Sequence, residues 1–407
     1  MTAKPKLAVL GGSSPFTAGL IEAIVEAGDA LPPHELVLQG RSRDLLDAMT
    51  AHAHARLAPR GWTVHATTSR EVALDGAGVV LHQVRYGGME ERAQGEQLAS
   101  RHGVASDETL GPAALRCALR TAPALAECAR DIARLCPQAW IVNLTNPLSV
   151  TTALLAEHGA ARTLGLCELP FATMTRAARR LGIDPARARW SYVGLNHRGF
   201  IHRLSAETGP DRIVDLAADD QGLDGVPPED IRELGVLPLK YFRLLSRRTG
   251  PAGSAGPVGP PGRAGFLARL RADVLAEIAR APAVWPPSLS QRMMEWYPLA
   301  VVPFLAALAA GDGRSEVVNV VAADGIVREL RARVFADRLE PLEAPPPPVA
   351  AAQWLARFEA HERASLAAVR SPTPRAIAAA LACDPLVAEA VAPVLARALV
   401  SELEASA

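Results

Sequence analysis

Four short clusters in this 407-residue chain hold the side chains best able to do chemistry: Arg85-Tyr86-Gly87-Gly88, Asn143-Leu144-Thr145-Asn146-Pro147, Cys167-Glu168-Leu169-Pro170 and Gly194-Leu195-Asn196-His197. Each follows a short apolar run that reads as a strand. In an open parallel sheet, ligands bind beyond the carboxyl ends of the strands. A thiol, a carboxyl group, amides and an imidazole placed together there point to a metal centre or an acid–base centre. A lone Cys or His is more often a packed core residue. It is the shared placement that carries the reading.

A fifth feature follows the first strand. In Val9-Leu10-Gly11-Gly12-Ser13-Ser14-Pro15-Phe16-Thr17, small residues stand where a strand must turn sharply into a helix. Glycine lets backbone amides approach a pyrophosphate, and a helix N-terminus supplies partial positive charge. The pattern is not the usual G-x-G-x-x-G, but its position after a first strand and before an amphipathic helix is the required context. A tight turn with no ligand is the competing reading. A NAD site ordinarily has an acidic residue at the end of the second strand to hold the ribose hydroxyls. Here that strand runs out through Leu38-Gln39-Gly40-Arg41-Ser42-Arg43, and the first carboxylate is Asp44. Arg41 and Arg43 could meet a 2′-phosphate or could simply be solvated, so NAD and NADP both stay open.

The elements that must position these residues follow from periodicity. Leu7-Ala8-Val9-Leu10, Leu36-Val37-Leu38, Thr63-Val64-His65, Val79-Val80-Leu81, Trp140-Ile141-Val142 and Thr163-Leu164-Gly165 read as strands, and Ser191-Tyr192-Val193 as a seventh. Helical patterns separate the first six; Leu20, Ile21, Ile24 and Val25 fall on one face. This alternation predicts a doubly wound parallel sheet of the Rossmann type. From about residue 170 the pattern is mixed, with helices expected around 171–181, 230–247, 264–279 and 297–310 and after Ala350. Gly250 to Gly265 cannot be a helix or an inner strand; it reads as a surface loop, with a substrate-gating loop as the alternative. Pro345 to Pro348 is a stiff spacer. A single core usually stops growing at roughly 250–300 residues, so two lobes are expected, a dinucleotide-binding domain over 1–168 and a substrate, metal and oligomerisation domain over 169–407.

The totals exclude some functions. The formal net charge is zero, which leaves no electrostatic footprint for nucleic acid or an anionic membrane. Apolar runs such as the one from Leu299 to Ala310 are too short to span a bilayer. Five scattered cysteines and the absence of a leader pattern fit a reducing, cytoplasmic setting.

Read in order, these motifs resemble glycoside hydrolase family 4, the NAD- and metal-dependent glycosidases, and in particular its 6-phospho-β-glucosidase branch. The stretch from Lys6 to Thr17 looks like the family's opening motif, and Arg85-Tyr-Gly-Gly-Met-Glu-Glu-Arg92 looks like its R-V-G-G-L-E-A-R. His102-Gly-Val-Ala-Ser-Asp-Glu-Thr-Leu-Gly-Pro112, Asn143-Leu-Thr-Asn-Pro147, Cys167 with Pro170 and Gly194-Leu-Asn-His197 complete the set. The resemblance implies a sheet of the lactate and malate dehydrogenase superfamily followed by a mixed α+β C-terminal domain. It also implies an exception to paired-carboxylate glycoside hydrolysis. In that chemistry a hydride leaves the sugar C3 for the nicotinamide, a divalent metal, typically manganese, polarises the ketone, and a base takes the C2 proton. The glycosidic oxygen is then eliminated, water adds and the hydride returns. By resemblance, Cys167 and His197 ligate the metal. Tyr241, in Leu237-Pro-Leu-Lys-Tyr-Phe-Arg243, is the base. Asn146 and Asn196 contact sugar hydroxyls, while Arg92 and Arg292, with Arg85 beside them, serve a sugar 6-phosphate. Gly11, Gly12, Ser13, Ser14, Arg41 and Asn143 would line the cofactor. The resemblance further implies a homodimer or homotetramer.

The sequence departs from the family pattern at four places. Glu168 stands after the metal cysteine, where β-specific members carry Asn and α-glucosidase members Asp. A carboxylic acid there can protonate a leaving oxygen, so Glu168 joins Tyr241 as a catalytic candidate and the anomer stays open. The acid after the second strand is missing. The family's R-G-G-A reads Arg292-Met293-Met294-Glu295, and its R-D-E-x-I-P-L reads Ala93-Gln-Gly-Glu-Gln-Leu-Ala99. The competing functions are a dehydrogenase of the malate or lactate type and a nucleotide-binding homologue without activity.

Overall fold

The computed structural model describes residues 5–246 and 262–404. Six strands form its parallel half: β1 (Lys6–Leu10), β2 (Glu35–Gln39), β3 (Thr63–Thr67), β4 (Val79–His82), β5 (Trp140–Asn143) and β6 (Thr163–Gly165). They lie in the order β3-β2-β1-β4-β5-β6, so the sheet switches direction at β1. Every strand predicted there is present.

The rest of the sheet is antiparallel and is built from later chain: β7 (Arg189–Leu195), β8 (Arg198–Ser205), β9 (Leu237–Pro238), β10 (Ser315–Val321), β11 (Val327–Val334) and β12 (Leu339–Pro341). The order continues β6-β10-β11-β7-β8-β9, with β12 on β11, so one sheet runs through the described residues. The hairpin β10–β11 was not foreseen, although its run Val317-Val318-Asn319-Val320-Val321 and the turn at Asp324-Gly325 are ordinary strand and turn signals.

Helices cover both faces of the parallel half. On one side lie α1 (Thr17–Ala27) and α2 (Arg43–Leu57). On the other lie α3 (Arg70–Leu74), α5 (Pro112–Leu135) and α6 (Leu148–Glu157), while α4 (Gly88–Arg101) packs on α5. Alternation along β1 shows the two layers: Leu7 and Val9 enter the core with α1 and α2, Ala8 and Leu10 the core with α5 and α6. Residues i and i+2 of a strand share a face, so a fully apolar β1 must be covered twice. Beyond β6 come α7 (Leu169–Arg180), α8 (Pro228–Leu234), α9 (Gly262–Arg280), α10 (Val302–Ala310), α11 (Val349–Arg370), α12 (Pro374–Cys383) and α13 (Ala392–Glu404). The helices α9 and α10 return to the α1–α2 face, and α11 to α13 to the α5–α6 face. No helix among the described residues is long and apolar enough to cross a membrane.

Two expectations are corrected. Among the described residues no continuous helix runs from 230 onward as expected for 230–247: α8 ends at Gly235, which takes the left-handed conformation (φ +66°) favoured at a helix C-terminus. The chain then pairs with β8 as β9. The loop expected from Gly250 to Gly265 is helical in its last four residues, since α9 starts at Gly262; the remainder falls outside the described residues.

The helix α11 is fastened to the antiparallel half by aromatic packing. Phe358, 1% exposed, stacks on Phe200 of β8 at 6.4 Å and lies 5.6 Å from Trp354. Truncation there leaves a cavity that a strand on one side and a helix on the other cannot close. Phe358→Ala should therefore cost about 3–5 kcal/mol of stability, read as a lowered urea midpoint with an unchanged slope.

Candidate active site

The two proposed metal ligands sit beside the two narrow joints of the sheet. Gly165 of β6 pairs with Asn319 of β10, and Gly194 of β7 pairs with Glu329 of β11. Asn319 and Glu329 are themselves partners across the β10–β11 ladder, and the Asn319 amide donates to Glu329 Oε1 at 2.8 Å. Cys167 comes two residues after the first joint and His197 three after the second. The register of the hairpin β10–β11 thus sets their separation.

Local chemistry fixes both ends. The turn between β7 and β8 is the two-residue loop Asn196-His197, closed by the pair Leu195–Arg198, and His197 takes φ +63°. A non-glycine residue in that region needs outside support. Behind the turn, Arg198 forms a fully buried ion pair with Glu362 of α11 at 2.5 Å. Gly194 allows the hairpin to close, because a Cβ there would lie 2.3 Å from Gly199 Cα. Gly199 in turn leaves room for the Tyr192 ring, whose hydroxyl donates to Glu329.

His197 is buried. Its Nδ1 hydrogen-bonds Thr109 Oγ1 at 2.8 Å, and its ring stacks on Tyr241 with centroids 4.4 Å apart. Burial lowers its pKa to about 4 against the pull of Glu108, so the imidazole is neutral. The Cys167 thiol is pushed well above its usual range by burial and then by Glu168 and Glu329. Asn196 is fully buried beside Cys167 and Glu329 and favours their charged forms, yet neither of its amide atoms makes a well-aligned hydrogen bond. Burial also raises the Glu168 carboxyl, helped by Glu295 and Glu108 and opposed by Lys240. The Tyr241 phenol is raised by burial and then by Glu108, Asp107, Cys167 and Glu168, with the Lys240 ammonium 5.5 Å from its ring. Cys167, Glu168, Asn196, His197 and Tyr241 therefore form one cluster, as the sequence suggested.

A second cluster is cationic. Arg92 is engaged by Glu96 at 2.8 Å and by Glu108 at 2.9 Å. Its guanidinium, with that of Arg85, outweighs burial and holds the Glu108 carboxyl down at about 2. Arg85 and Arg292 differ: among the described residues neither has an ion-pair partner, and burial lowers the pKa of both. Arg292 lies between two rings, 4.3 Å from the centroid of Phe16 and 4.9 Å from that of Trp296. Glu295, the bulkier acid of the altered motif, faces Arg176 instead, at 3.8 Å.

The turn after β1 is built differently from the expectation. The amides of Gly11 and Gly12 donate to Gln39 O at 3.0 and 2.8 Å, and Ser14 N donates to Gly11 O. Among the amides of Gly11 to Phe16, only those of Ser13 and Phe16 have no acceptor among the described residues. Gly11 and Gly12 are needed for close approach, since a Cβ on them would meet Gln83 O at 2.9 Å and Leu38 Cα at 3.0 Å. Asn143, expected at the cofactor, is fully buried. Its Oδ1 accepts from His82 and Thr145 N, and its Nδ2 donates to Thr151 and Thr152, so its side chain braces the loop leading to Asn146. Asn146 is half-buried. Arg41 is exposed at the end of β2.

A divalent cation fits the first cluster. A thiol and a neutral imidazole with one nitrogen already oriented are the donors borderline cations take. No three His, Cys, Asp or Glu side chains among the described residues gather closely enough to hold a metal alone, so any remaining positions fall to other oxygen ligands. The sequence reading missed Asp107, Glu108 and Thr109, which lie in the loop before α5. The run Asp107-Glu108-Thr109 just ahead of Gly111-Pro112 was visible, but its contact with His197, 88 residues on, was not.

The sequence profile of the family 4 glycosyl hydrolases matches residues 6–183. The chain is 29% identical to a probable 6-phospho-β-glucosidase of Bacillus subtilis over 345 residues, which are 79% of this chain and 77% of that one. Its fold is similar to a solved 6-phospho-β-glucosidase of Thermotoga maritima with manganese, NAD+ and glucose-6-phosphate (TM-score 0.86, 20% identity, 98% of each chain). It is also similar, more distantly, to malate dehydrogenase of Cryptosporidium parvum (TM-score 0.55, 12% identity, 91% of this chain and all of that one).

Glu329 gives the site a measurable signature. Burial raises its carboxyl from 4.5 to about 7 despite hydrogen bonds from Tyr192 and Asn319. A raised acid is neutral in both states below its unfolded pKa, and its ionisation costs stability as pH climbs to the folded value. Metal-free protein should thus lose about 2–3 kcal/mol from this group between pH 4.5 and 7. In Glu329→Gln that component should vanish from urea midpoints taken across the same window.

Proposed function

We propose that the chain is a member of the family 4 glycosyl hydrolases and that it cleaves a 6-phosphoglycoside with the help of a nicotinamide dinucleotide and a divalent cation, by transient oxidation at the sugar C3, C2 deprotonation and elimination. The observation that carries this reading is the joint placement of Cys167, His197 and Tyr241 at one end of the sheet, with His197 stacked on Tyr241. Bound, the dinucleotide supplies a reversible hydride acceptor, and the cation supplies a Lewis acid for a sugar ketone and a positive charge beside Cys167 and Tyr241.

The chain's own residues divide the remaining work. Cys167 and His197 would hold the cation, with Thr109 fixing the imidazole through Nδ1 and leaving Nε2 to bind. Tyr241 would take the C2 proton. Its phenol is held protonated by burial and by the surrounding carboxylates, so it acts as a base only where positive charge offsets them. Glu168, kept towards its neutral form by burial, is suited to hand a proton to the departing oxygen. Asn146, half-buried, and Asn196, whose amide atoms lack a well-aligned hydrogen bond, would offer their amides to sugar hydroxyls. For the 6-phosphate, Arg85 and Arg292 are the better ligands, because Arg92 is already engaged by two carboxylates. Arg92 instead positions Glu108.

Purified protein should cleave an aryl glucoside 6-phosphate, α- or β-linked, only when dinucleotide and Mn2+ are both present, with no net build-up of reduced cofactor. Net reduction would favour a simple dehydrogenase. Cys167→Ser should weaken Mn2+ binding by about 10–100-fold in a direct titration. Undiminished activity of that variant after chelation would remove the metal assignment.

Arg292→Ala and Arg85→Ala should each raise KM for the phosphorylated glycoside by about 10-fold or more, since each removes a charge-assisted hydrogen bond from a desolvated site. The unphosphorylated glycoside should show no such change. An equal change for both substrates would place these arginines elsewhere in the mechanism.

A further inference from the structure

The end of β2, where a dinucleotide's adenosine ribose lies in sheets of this kind, is built for an anion. Its last residues are Leu38-Gln39-Gly40, and Gly40 N donates to Thr67 O of the neighbouring strand at 3.3 Å. The space above Gly40 is filled by Ser13: a Cβ built on Gly40 would lie 2.2 Å from Ser13 Oγ and 2.4 Å from Ser13 Cβ. No aspartate can occupy position 40 while Ser13 stands in the turn. The carboxylate that would accept hydrogen bonds from a ribose 2′-hydroxyl is therefore excluded on steric grounds as well as absent.

What stands around that space instead are donors. Arg41 follows immediately, is exposed, and has no ion-pair partner among the described residues. Its neighbour Arg43 is already held by Asp47 at 3.2 Å. Ser42 precedes α2, and its hydroxyl makes no capping hydrogen bond. The first carboxylate after the strand is Asp44, on the exposed first turn of α2. A 2′-hydroxyl gains little from a guanidinium and two hydroxyls. A 2′-phosphate gains a forked, charge-assisted contact and further donors.

From this placement we infer that the chain takes the 2′-phosphorylated dinucleotide, NADP, in preference to NAD, with Arg41 as the side chain that reads the phosphate. The inference rests on the dinucleotide reading above and narrows it. Arg41 is a binding residue only; it lies at the far end of the cofactor from the reacting sugar.

The test is equilibrium binding to the full-length protein without metal or sugar, followed by tryptophan fluorescence or calorimetry with NADP+ and NAD+ separately. NADP+ should bind more tightly by about 10-fold or more, and that margin should shrink as salt is raised. Arg41→Ala should weaken NADP+ binding by about 10-fold while moving NAD+ by less than about threefold. The double variant Ser13→Gly with Gly40→Asp, which clears the space and then supplies a carboxylate, should reverse the preference. Equal or tighter binding of NAD+ by the natural chain overturns the inference and leaves the dinucleotide reading standing, as does a loss in Arg41→Ala that is equal for both nucleotides. Binding of neither nucleotide overturns both.

Discussion

The arrangement depends on one cross-strand pair, Asn319 and Glu329. These residues face each other across the hairpin β10–β11 and are hydrogen-bonded through their side chains. Each also forms the single-residue joint between the hairpin and an older part of the sheet, Asn319 to Gly165 and Glu329 to Gly194. A buried carboxyl group is costly unless its oxygens are satisfied, and Glu329 is satisfied by Tyr192 and Asn319. Those two donors come from β7 and β10, so the carboxyl is fully satisfied only when the hairpin has formed and its joint to β7 is made. The cost of burial thereby becomes a condition on assembly, and Cys167 and His197 are spaced by it.

The charge arrangement around that frame has a consistent logic. Acids and cations are both present, but they are not uniformly paired. Arg92 neutralises Glu108 and Glu96, Arg198 neutralises Glu362, and Arg176 takes up Asp224 and the stray Glu295. Arg85 and Arg292 are left without carboxylates among the described residues, although both are largely desolvated. Leaving a guanidinium unpaired in such a place costs free energy, and a site that carries two of them gains most from an anionic ligand. The opposite condition holds around Cys167 and Tyr241. There burial and carboxylates stabilise the protonated forms. One cluster is thus left with positive charge that no carboxylate offsets, and the other with protonated donors.

Much of the parallel half was legible because its signals are local. β-branched runs bounded by turns gave all six strands, and a residue's place just beyond a strand end picked out side chains that the fold brings together. Three things were not local. The insertion of β10 and β11 between β6 and β7 joins residues about 150 positions apart, and no periodicity encodes such a choice of neighbours. The division of labour among Arg85, Arg92 and Arg292 follows from where Glu96 and Glu108 point, which spacing does not reveal. Glycine's permissiveness also has two readings: at Gly11 and Gly12 it suggested amides exposed to a phosphate, whereas the structure uses it to bring the turn against Gln39. The helix expected over 230–247 failed for a local reason, since Gly235 followed by Leu237-Pro238 is a stop signal that the apolar run around it concealed.

The turn after β1 is where the two ends of the site become one object. Its amides are mostly engaged, so its contribution lies less in a cradle of donors than in position: it holds the α1 N-terminus against β2 and β4. Phe16, the residue capping that helix, is also one of the two rings enclosing Arg292. A guanidinium held between ring faces keeps its orientation without surrendering its charge to a carboxylate. The Gln83 amide ties the same region together, donating to Thr17 at the start of α1 and accepting from the Tyr297 hydroxyl beyond Trp296. The segment that carries the free arginine is therefore fastened to the turn by a stacked ring and a bridging amide. Any shift of the turn must be shared by Arg292, which makes the geometry of the two a single mechanical variable.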